Sequence, residues 1–250
     1  MSSEQVEPQP WRFEAGLRRD RLILCDHASN RVPAELDGLG LSADELARHI
    51  AWDPGAEGIA RSLARRLQCP AYFGVWSRLL VDLNRAEDAA DLIVVESDGV
   101  RVPANAGLTA NERQARINRY HRPYHAAIAS YVQETEQAGI KLRLIAVHTF
   151  TPVLKTDVRP WHAGVVWKRR QPWHAKLLSR LAETGVPIGD NLPYDGLTAM
   201  GYTLEHLGIT AERQHVMFEV RQDVVADPSQ QEAWADQLLD GLMHSGFLTA

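Results

Sequence analysis

Four short apolar runs end abruptly in polar side chains, and this pattern restricts the possible folds more than any other feature of the sequence. The runs are LILC, LLVDL, LIAV and VMFEV, and the polar residues that follow them include His27, Asn84, Arg85, His148 and Arg221. Apolar runs of about four to eight residues between polar segments are typical of buried strands. In open α/β sheets, ligands bind beyond the carboxyl ends of the strands. The sequence therefore predicts an α/β fold with a functional site where these strands end.

Helical patterns separate the apolar runs. Residues 53–67 combine Asp53 as the predicted N-cap, a proline at the first helical position and apolar residues at helical spacing. A capping box of Thr109 and Glu112 begins a longer predicted helix, which Pro123 should kink. Further strands are predicted over 71–76, 78–83, 142–147 and 215–220, and further helices over 174–184 and 229–245. Strands thus alternate with helices, as in a sheet between two helical layers.

The composition is that of an ordinary globular protein, with 45% hydrophobic and 24% charged residues. We expect a single domain over residues 1–250, with a flexible arm over residues 1–15. The net charge of −5 argues against a broad surface that binds nucleic acid. The two cysteines do not suggest a disulfide framework, and neither a signal peptide nor a membrane-spanning run is recognisable. These features predict a cytoplasmic protein without nucleic-acid or membrane partners.

Two histidines that directly follow strand-like runs, His27 and His148, suggest a metal site. Imidazole is a common zinc ligand, and catalytic zinc takes three protein ligands and keeps one further position open. The third ligand is either Asp53, whose position is also explained by helix capping, or Asn30, whose neutral amide is a poor zinc ligand. The alternative for each histidine is a hydrogen bond to nearby backbone.

The motif HRPYH places His121 and His125 four residues apart, a spacing that can hold a metal from one face of a helix. Arg122, however, occupies the position that a glutamate takes in the zincin motif. We therefore expect a structural or supporting role for these two histidines.

Glu219 interrupts the apolar run VMFEV. A buried carboxylate is costly unless it is paired or serves a pocket. Arg221 lies two residues on, and so on the same face of a strand, which makes a structural salt bridge one interpretation. In the other, Glu219 is a general base that deprotonates water and then protonates the leaving nitrogen. Asn84 and Arg85 follow another strand, and a planar guanidinium suits a substrate carboxylate.

Taken in order, the motifs HASNRVP, DLNR, YHRPYH, NLPYDG and FEVRQD, with His148 after a strand, resemble the N-formylglutamate amidohydrolase family. This family is related to zinc carboxypeptidases and aspartoacylase-type deacylases. The resemblance extends over residues 20–227. It implies an α/β fold with a mixed central sheet and helices on both faces, which is phosphorylase/hydrolase-like and zinc-carboxypeptidase-like.

The resemblance also implies roles for individual residues. It implies zinc ligands at His27 and His148, a catalytic base at Glu219 and a grip on the substrate carboxylate by Asn84 and Arg85. Arg221, Asn191 and Tyr194 are our further candidates for substrate binding. The carboxypeptidase-like pattern H-x-x-E has Asn30 in its last position here, and Asp53 is our substitute for the third ligand.

The function predicted from these features is zinc-dependent removal of a formyl or other small acyl group from an N-acylated acidic amino acid such as N-formylglutamate. Two alternatives remain. One is a related deacylase or carboxypeptidase that acts on another substrate, and the other is a binding protein that has lost catalysis. The partner in each case is a small acylated amino acid, and the oligomeric state stays open.

Overall fold

A mixed sheet of seven strands runs through the computed structural model, which describes residues 9–198 and 200–249. The first half contains β1 (Trp11–Glu14), β2 (Arg21–Cys25), α1 (Ala43–Ala47), α2 (Ala56–Leu67), β3 (Ala71–Gly74), β4 (Glu96–Ser97), β5 (Val100–Arg101), α3 (Ala110–Arg116) and α4 (Arg122–Gln137). The second half contains β6 (Arg143–Phe150), β7 (Val153–Leu154), β8 (Asp157–Val158), β9 (Ala163–Val166), α5 (Pro172–Ala182), β10 (Ile188–Asp190), α6 (Tyr202–Leu204), β11 (His215–Arg221) and α7 (Pro228–Ser245).

The order of the strands brings the predicted site residues to one edge of the sheet. The order is β1-β3-β2-β6-β11-β9-β10, and β3, β2, β6 and β11 are mutually parallel. The outer strand β1 and the strand β9 run antiparallel to their neighbours β3 and β11. In the β6–β11 register, Glu219 lies opposite His148, and His27 follows β2 on the other side of β6. The carboxyl ends of these parallel strands therefore meet where the sequence predicts the site.

Helices cover both faces of the sheet, and this confirms the predicted fold class. Side chains of β2 alternate between the faces, and every residue of the strand is buried. Ile23 and Cys25 pack in one core with residues of α2, α5 and α7, whereas Leu22 and Leu24 pack in the other with residues of α4. Full burial of an aliphatic side chain contributes about 1.5–3 kcal/mol, so this strand anchors both layers.

The predicted strand over residues 78–83 is wrong. The segment is irregular, although Leu79 and Leu80 are fully buried in a third apolar cluster that also contains Trp76. The carbonyls of Leu80 and Leu83 accept hydrogen bonds from helix side chains and not from a neighbouring strand. The apolar pattern thus predicted burial correctly, but burial alone does not determine which group satisfies the backbone.

The helix predicted from Asp53 begins only at Ala56, so the predicted N-cap is wrong. Gly55 is the N-cap, with φ of +85°, and a Cβ at this position would approach the Val225 carbonyl oxygen to 2.9 Å. Both features favour glycine. Asp53 is therefore left outside the helix, and its carboxylate is free to point into the interior.

The predicted capping box of Thr109 and Glu112 is confirmed at the start of α3. A π turn over Ile117–His121 joins α3 to α4 directly before Arg122 and Pro123. The backbone N–H of Arg122 bonds to the carbonyl of Ile117, which widens the helix just before the proline. Such π turns are frequent at functional sites.

The predicted arm over residues 1–15 is partly wrong, because Trp11–Glu14 form β1 and pair with β3. Phe13 lies with its ring centroid 4.9 Å from that of Tyr72. Residues 1–8 lie outside the part of the chain that the structure describes. No helix among the described residues is long and apolar enough to cross a bilayer.

Candidate metal centre and active-site cavity

His27, Asp53 and His148 converge on one point although they come from three separate segments of the chain. Nδ1 of His148 lies 2.9 Å from Oδ2 of Asp53, and Nδ1 of His27 lies 3.3 Å from the same oxygen. One donor atom from each residue falls within 4.8 Å of the other two, and all three residues are buried. Asn30 is not part of this group, because its amide donates to the carbonyl of Leu46.

Each histidine has a carboxylate at its other ring nitrogen. Nε2 of His27 lies 2.7 Å from Oδ1 of Asp82, and Nε2 of His148 lies 3.5 Å from Oδ2 of Asp26. The hydroxyl of Tyr124 on α4 donates to Oδ1 of Asp26 at 2.6 Å. Histidines that bind a metal commonly donate their second nitrogen to a carboxylate, which fixes the ring orientation, and the His27–Asp82 pair has this geometry. The His148–Asp26 pair is at ion-pair distance and forms no hydrogen bond.

Three buried carboxylates make this cluster suitable for a cation when its two histidines are neutral. Asp26, Asp53 and Asp82 are all buried, and the guanidinium of Arg78 contacts the last two. Burial opposes ionisation of Asp53, yet the positive charges of His27 and His148 hold the pKa of its carboxyl below its usual value. The two imidazole nitrogens and the carboxylate oxygen match the donor set of a catalytic zinc ion with one open position, so the residues present fit the metal.

Glu219 reaches this centre from β11. It is buried, and its Oε2 has no hydrogen-bond partner among the described residues. Burial raises the pKa of Glu219 to about 7, although the positive charge of nearby His148 lowers it. A carboxyl group with a pKa near neutrality can both accept and donate a proton at physiological pH.

The predicted salt bridge between Glu219 and Arg221 is not formed. The guanidinium of Arg221 instead pairs with Asp223 at 2.7 Å and donates to the carbonyls of Arg159 and Pro160. Arg221 is also absent from the residues that line the cavity described next. The structure therefore does not bring it to the other predicted substrate-binding residues.

The candidate metal ligands His27, Asp53 and His148 open, together with Glu219, into a cavity of about 470 Å³. Predicted substrate-binding residues Asn84, Arg85 and Tyr194 line the same cavity. Val166, Met200 and Met217 give part of its wall an apolar character. The cavity thus combines a buried ionisable centre with cationic and apolar surfaces, as expected of a site for a small organic ligand.

Asn84 and Arg85 are held in place by different contacts. The side-chain oxygen of Asn84 accepts a hydrogen bond from the backbone N–H of Thr203, and Gly201 packs directly against the amide. Nε of Arg85 lies 2.6 Å from Oδ2 of Asp91, a side chain that is 57% exposed. Ion pairs with such exposed partners are weak, so a ligand carboxylate can displace Asp91.

The motif NLPYDG forms a loop beside the cavity. Oδ1 of Asn191 accepts hydrogen bonds from the backbone N–H groups of Trp167 and Gly196. Asn191 therefore shapes the loop and is absent from the cavity wall, whereas Tyr194 lines it and bonds through its hydroxyl to Arg159. Of these two predicted substrate-binding residues, the structure brings only Tyr194 to the cavity.

Three residues of the site, Asp26, Arg78 and Asp82, were not predicted from the sequence. Asp82 interrupts the apolar run LLVDL as Glu219 interrupts VMFEV, and the cost of burying a carboxylate applies equally to both. That argument would have identified Asp82. Arg78 lies outside every motif, and only the fold brings it to Asp53 and Asp82.

The chain is similar to a known protein family and to solved structures. A family model described as N-formylglutamate amidohydrolase matches residues 20–226. A crystal structure of a gene product from Agrobacterium tumefaciens is similar at 30% identity, with a TM-score of 0.88 over 95% of each chain. The fold is shared with N-formylglutamate amidohydrolase from Ralstonia eutropha JMP134 at 20% identity, with a TM-score of 0.69 over 95% of this chain and 96% of that one. No curated protein matches the sequence significantly.

The matched region contains every residue of the buried centre and most of the central sheet. It covers far more than half of the chain. The chain therefore belongs to the N-formylglutamate amidohydrolase family of hydrolases.

Proposed function

We propose that the protein is a zinc-dependent amidohydrolase that removes a formyl or other small acyl group from an N-acylated acidic amino acid such as N-formylglutamate. The observation that carries this proposal is the convergence of His27, Asp53 and His148 beside buried Glu219, whose Oε2 has no hydrogen-bond partner in the described part of the chain. All four open into a cavity that Arg85 also lines. Membership of the family supports hydrolysis of an amide.

In this proposal zinc is held by His27, Asp53 and His148, with Asp82 and Asp26 behind the two histidines. When bound, zinc supplies a Lewis acid that polarises the amide carbonyl and acidifies water. Oδ2 of Asp53 lies 3.3 Å from Nδ1 of His27 and 2.9 Å from Nδ1 of His148, so the proposed donor atoms already lie together.

Glu219 is the proposed general acid–base group. Its unpaired Oε2 accepts a proton from the attacking water, and the C–N bond of the tetrahedral species then breaks. The same carboxyl group delivers that proton to the departing nitrogen, which leaves as the amine of the free amino acid. Its raised pKa, about 7, allows both transfers without a second acid.

Arg85 is the proposed binding group for a substrate carboxylate. Arg78 is less suitable, because it already forms two short bonds with buried Asp82. Arg85 is paired with the exposed Asp91, and exchanging that partner for a substrate carboxylate costs little. Asn84 and Tyr194 lie in the same wall and are the proposed neutral hydrogen-bonding groups.

A related deacylase with a larger acyl group is the second candidate. It is favoured by the apolar side chains of Val166, Met200 and Met217 in the cavity wall, for which a formyl group offers no matching surface. Turnover of N-formyl-, N-acetyl- and N-hexanoylglutamate distinguishes the two candidates. Fastest turnover of the hexanoyl compound would favour the second candidate, a deacylase for longer acyl groups.

The decisive experiment measures zinc content and turnover of N-formylglutamate on one preparation. We expect about one zinc per chain and hydrolysis that stops when a chelator removes the metal. Arg85→Ala should raise KM about ten- to a hundredfold, which corresponds to a lost charge-assisted hydrogen bond. The matched control is Arg169→Ala, since Arg169 is an exposed arginine outside this cavity. Metal-free protein that hydrolyses the substrate normally would refute the proposal.

A further inference from the structure

The continuous helical stretch of α3, the π turn and α4 supplies side-chain donors to one segment of the active-site wall. The segment comprises residues 80–89, which include Asn84 and Arg85. The accepting carbonyls and their donors are Leu80 with Arg116 at 3.2 Å, Leu83 with His125 at 2.8 Å, Arg85 with His121 at 2.8 Å, and Glu87 and Ala89 with Arg113 at 2.9 and 3.0 Å.

These contacts replace the hydrogen bonds that a sheet would provide. Residues 80–89 form no strand, so carbonyls in the buried part of the segment need other partners. The two histidine bonds lie on either side of Asn84, at the carbonyls of Leu83 and Arg85. The backbone that carries the proposed carboxylate-binding group is therefore fixed directly by His121 and His125.

The orientation of both imidazoles follows from their partners. A carbonyl oxygen only accepts hydrogen bonds, so Nε2 of His121 and of His125 carries the proton. Nδ1 of each ring is buried and has no partner within the described part of the chain. The π turn ends at His121, and the two rings lie tilted at 51° to each other with their centroids 4.5 Å apart. The single N–H group of each neutral ring is therefore used by a carbonyl of the segment and is not available to a substrate.

We infer that His121 and His125 are positioning residues, which hold Asn84 and Arg85 in the geometry that binds the substrate carboxylate. The inference rests on the proposed function, since it assigns these histidines an effect on the proposed substrate contact. They touch neither the candidate metal ligands nor Glu219 through any hydrogen bond among the described residues. Their loss should therefore weaken substrate binding and leave the metal in place.

Replacing each histidine by asparagine or by glutamine tests the inference. The amide nitrogen of glutamine can take the place of imidazole Nε2, whereas that of asparagine reaches only the place of Nδ1. His121→Asn and His125→Asn should each raise KM for N-formylglutamate by about five- to thirtyfold, with little change in kcat or zinc content. His121→Gln and His125→Gln should restore most of the loss. Glutamine is also closer to histidine in size, so His121→Met and His125→Met separate packing from hydrogen bonding. Methionine fills the space but donates no hydrogen bond, and these variants should behave like the asparagine variants.

The matched control is His206→Asn. His206 is exposed, stacks on Tyr202 beside the two histidines, and forms no hydrogen bond with residues 80–89 in the described structure. This variant should keep the KM of the parent protein. The inference would be overturned if the folded, zinc-containing asparagine variants kept the parent KM while Arg85→Ala raised it. The proposed function would remain intact in that case. An unchanged KM in Arg85→Ala would instead refute the proposed carboxylate contact, and with it the inference.

Hydrogen exchange supplies a readout that needs no substrate. Peptides that cover residues 80–91 should exchange faster in the asparagine variants, and the glutamine variants should recover protection. Exchange in β6, to which neither histidine forms a hydrogen bond in the described structure, should not change. Equal exchange in the asparagine variant, the glutamine variant and the parent would show that the histidines do not hold the segment, and would refute the inference even in an inactive protein.

Discussion

Replacing Glu219 with glutamine tests the proposed chemistry most directly, because the side chain keeps its size and loses only its ability to transfer protons. Positioned acid–base catalysis contributes about 10²–10⁴ in rate, which corresponds to about 3–5 kcal/mol in the activation barrier. We expect kcat of Glu219→Gln to fall by that factor. Zinc content should be unchanged, since Glu219 is not one of the three proposed ligands.

The structure also fixes the expected effect of Glu219→Gln on stability. Removing one partner of a buried ion pair costs about 3–5 kcal/mol. Glu219 has no ion-pair partner among the described residues, because Arg221 pairs with Asp223, and burial disfavours its charged form. The free energy of unfolding should therefore stay the same or increase.

Turnover, zinc content and urea unfolding of Glu219→Gln are measured on the same sample. The matched control is Glu205→Gln, which makes the same chemical change at a carboxylate that lines the same cavity but pairs with Lys168. This control should keep nearly normal kcat. A Glu219→Gln protein that is destabilised but turns over substrate normally would refute Glu219 as the base.

Three further predictions concern the metal and the helix that supports the site. Tyr124→Phe removes the donor to Asp26 and should weaken zinc binding about 10–100-fold in a chelator competition; unchanged affinity would refute this support. Zinc at a hundred times its Kd should add about 2.7 kcal/mol to the free energy of unfolding, and no such gain should occur in Asp53→Asn. Burial lowers the pKa of His125 to about 4. As the pH falls, His125 is therefore protonated in the unfolded chain at a higher pH than in the folded protein, and this favours unfolding. The parent should lose up to about 3 kcal/mol of stability relative to His125→Gln between pH 6.5 and 4, measured by urea unfolding.

The fold and the ends of the strands could be predicted because they depend on local patterns. Apolar runs indicated the central strands correctly. His27 lies just beyond β2, and His148 lies inside β6, two residues before its end, at the same edge of the sheet. Glu219 was identifiable for a related reason, since a carboxylate inside an apolar strand needs a functional or electrostatic explanation. Each of these inferences uses only neighbours in the sequence.

Asp53 shows where this reasoning fails. An aspartate followed by proline before a helical pattern is typical of an N-cap, yet Gly55 takes that position. The carboxylate of Asp53 instead meets imidazoles that come from two other parts of the chain. For Arg221 the prediction placed a residue in the site that lies outside it. Strand β11 ends at Arg221, and the guanidinium pairs with Asp223. Both errors arise from partners distant in sequence or from a local change of backbone direction.

The incorrect strand at 78–83 and the unexplained motif HRPYH have a common physical cause. The segment buries its leucines as a strand would, but it has no neighbouring strand to satisfy its carbonyls. A backbone in that condition requires side-chain donors from another element. His121 and His125, one helical repeat apart on a helix that contains a π turn, provide two of them next to Asn84. The irregular segment and the paired histidines therefore belong to one arrangement, in which a backbone outside the sheet holds the proposed carboxylate-binding residue Arg85 beside the candidate metal centre.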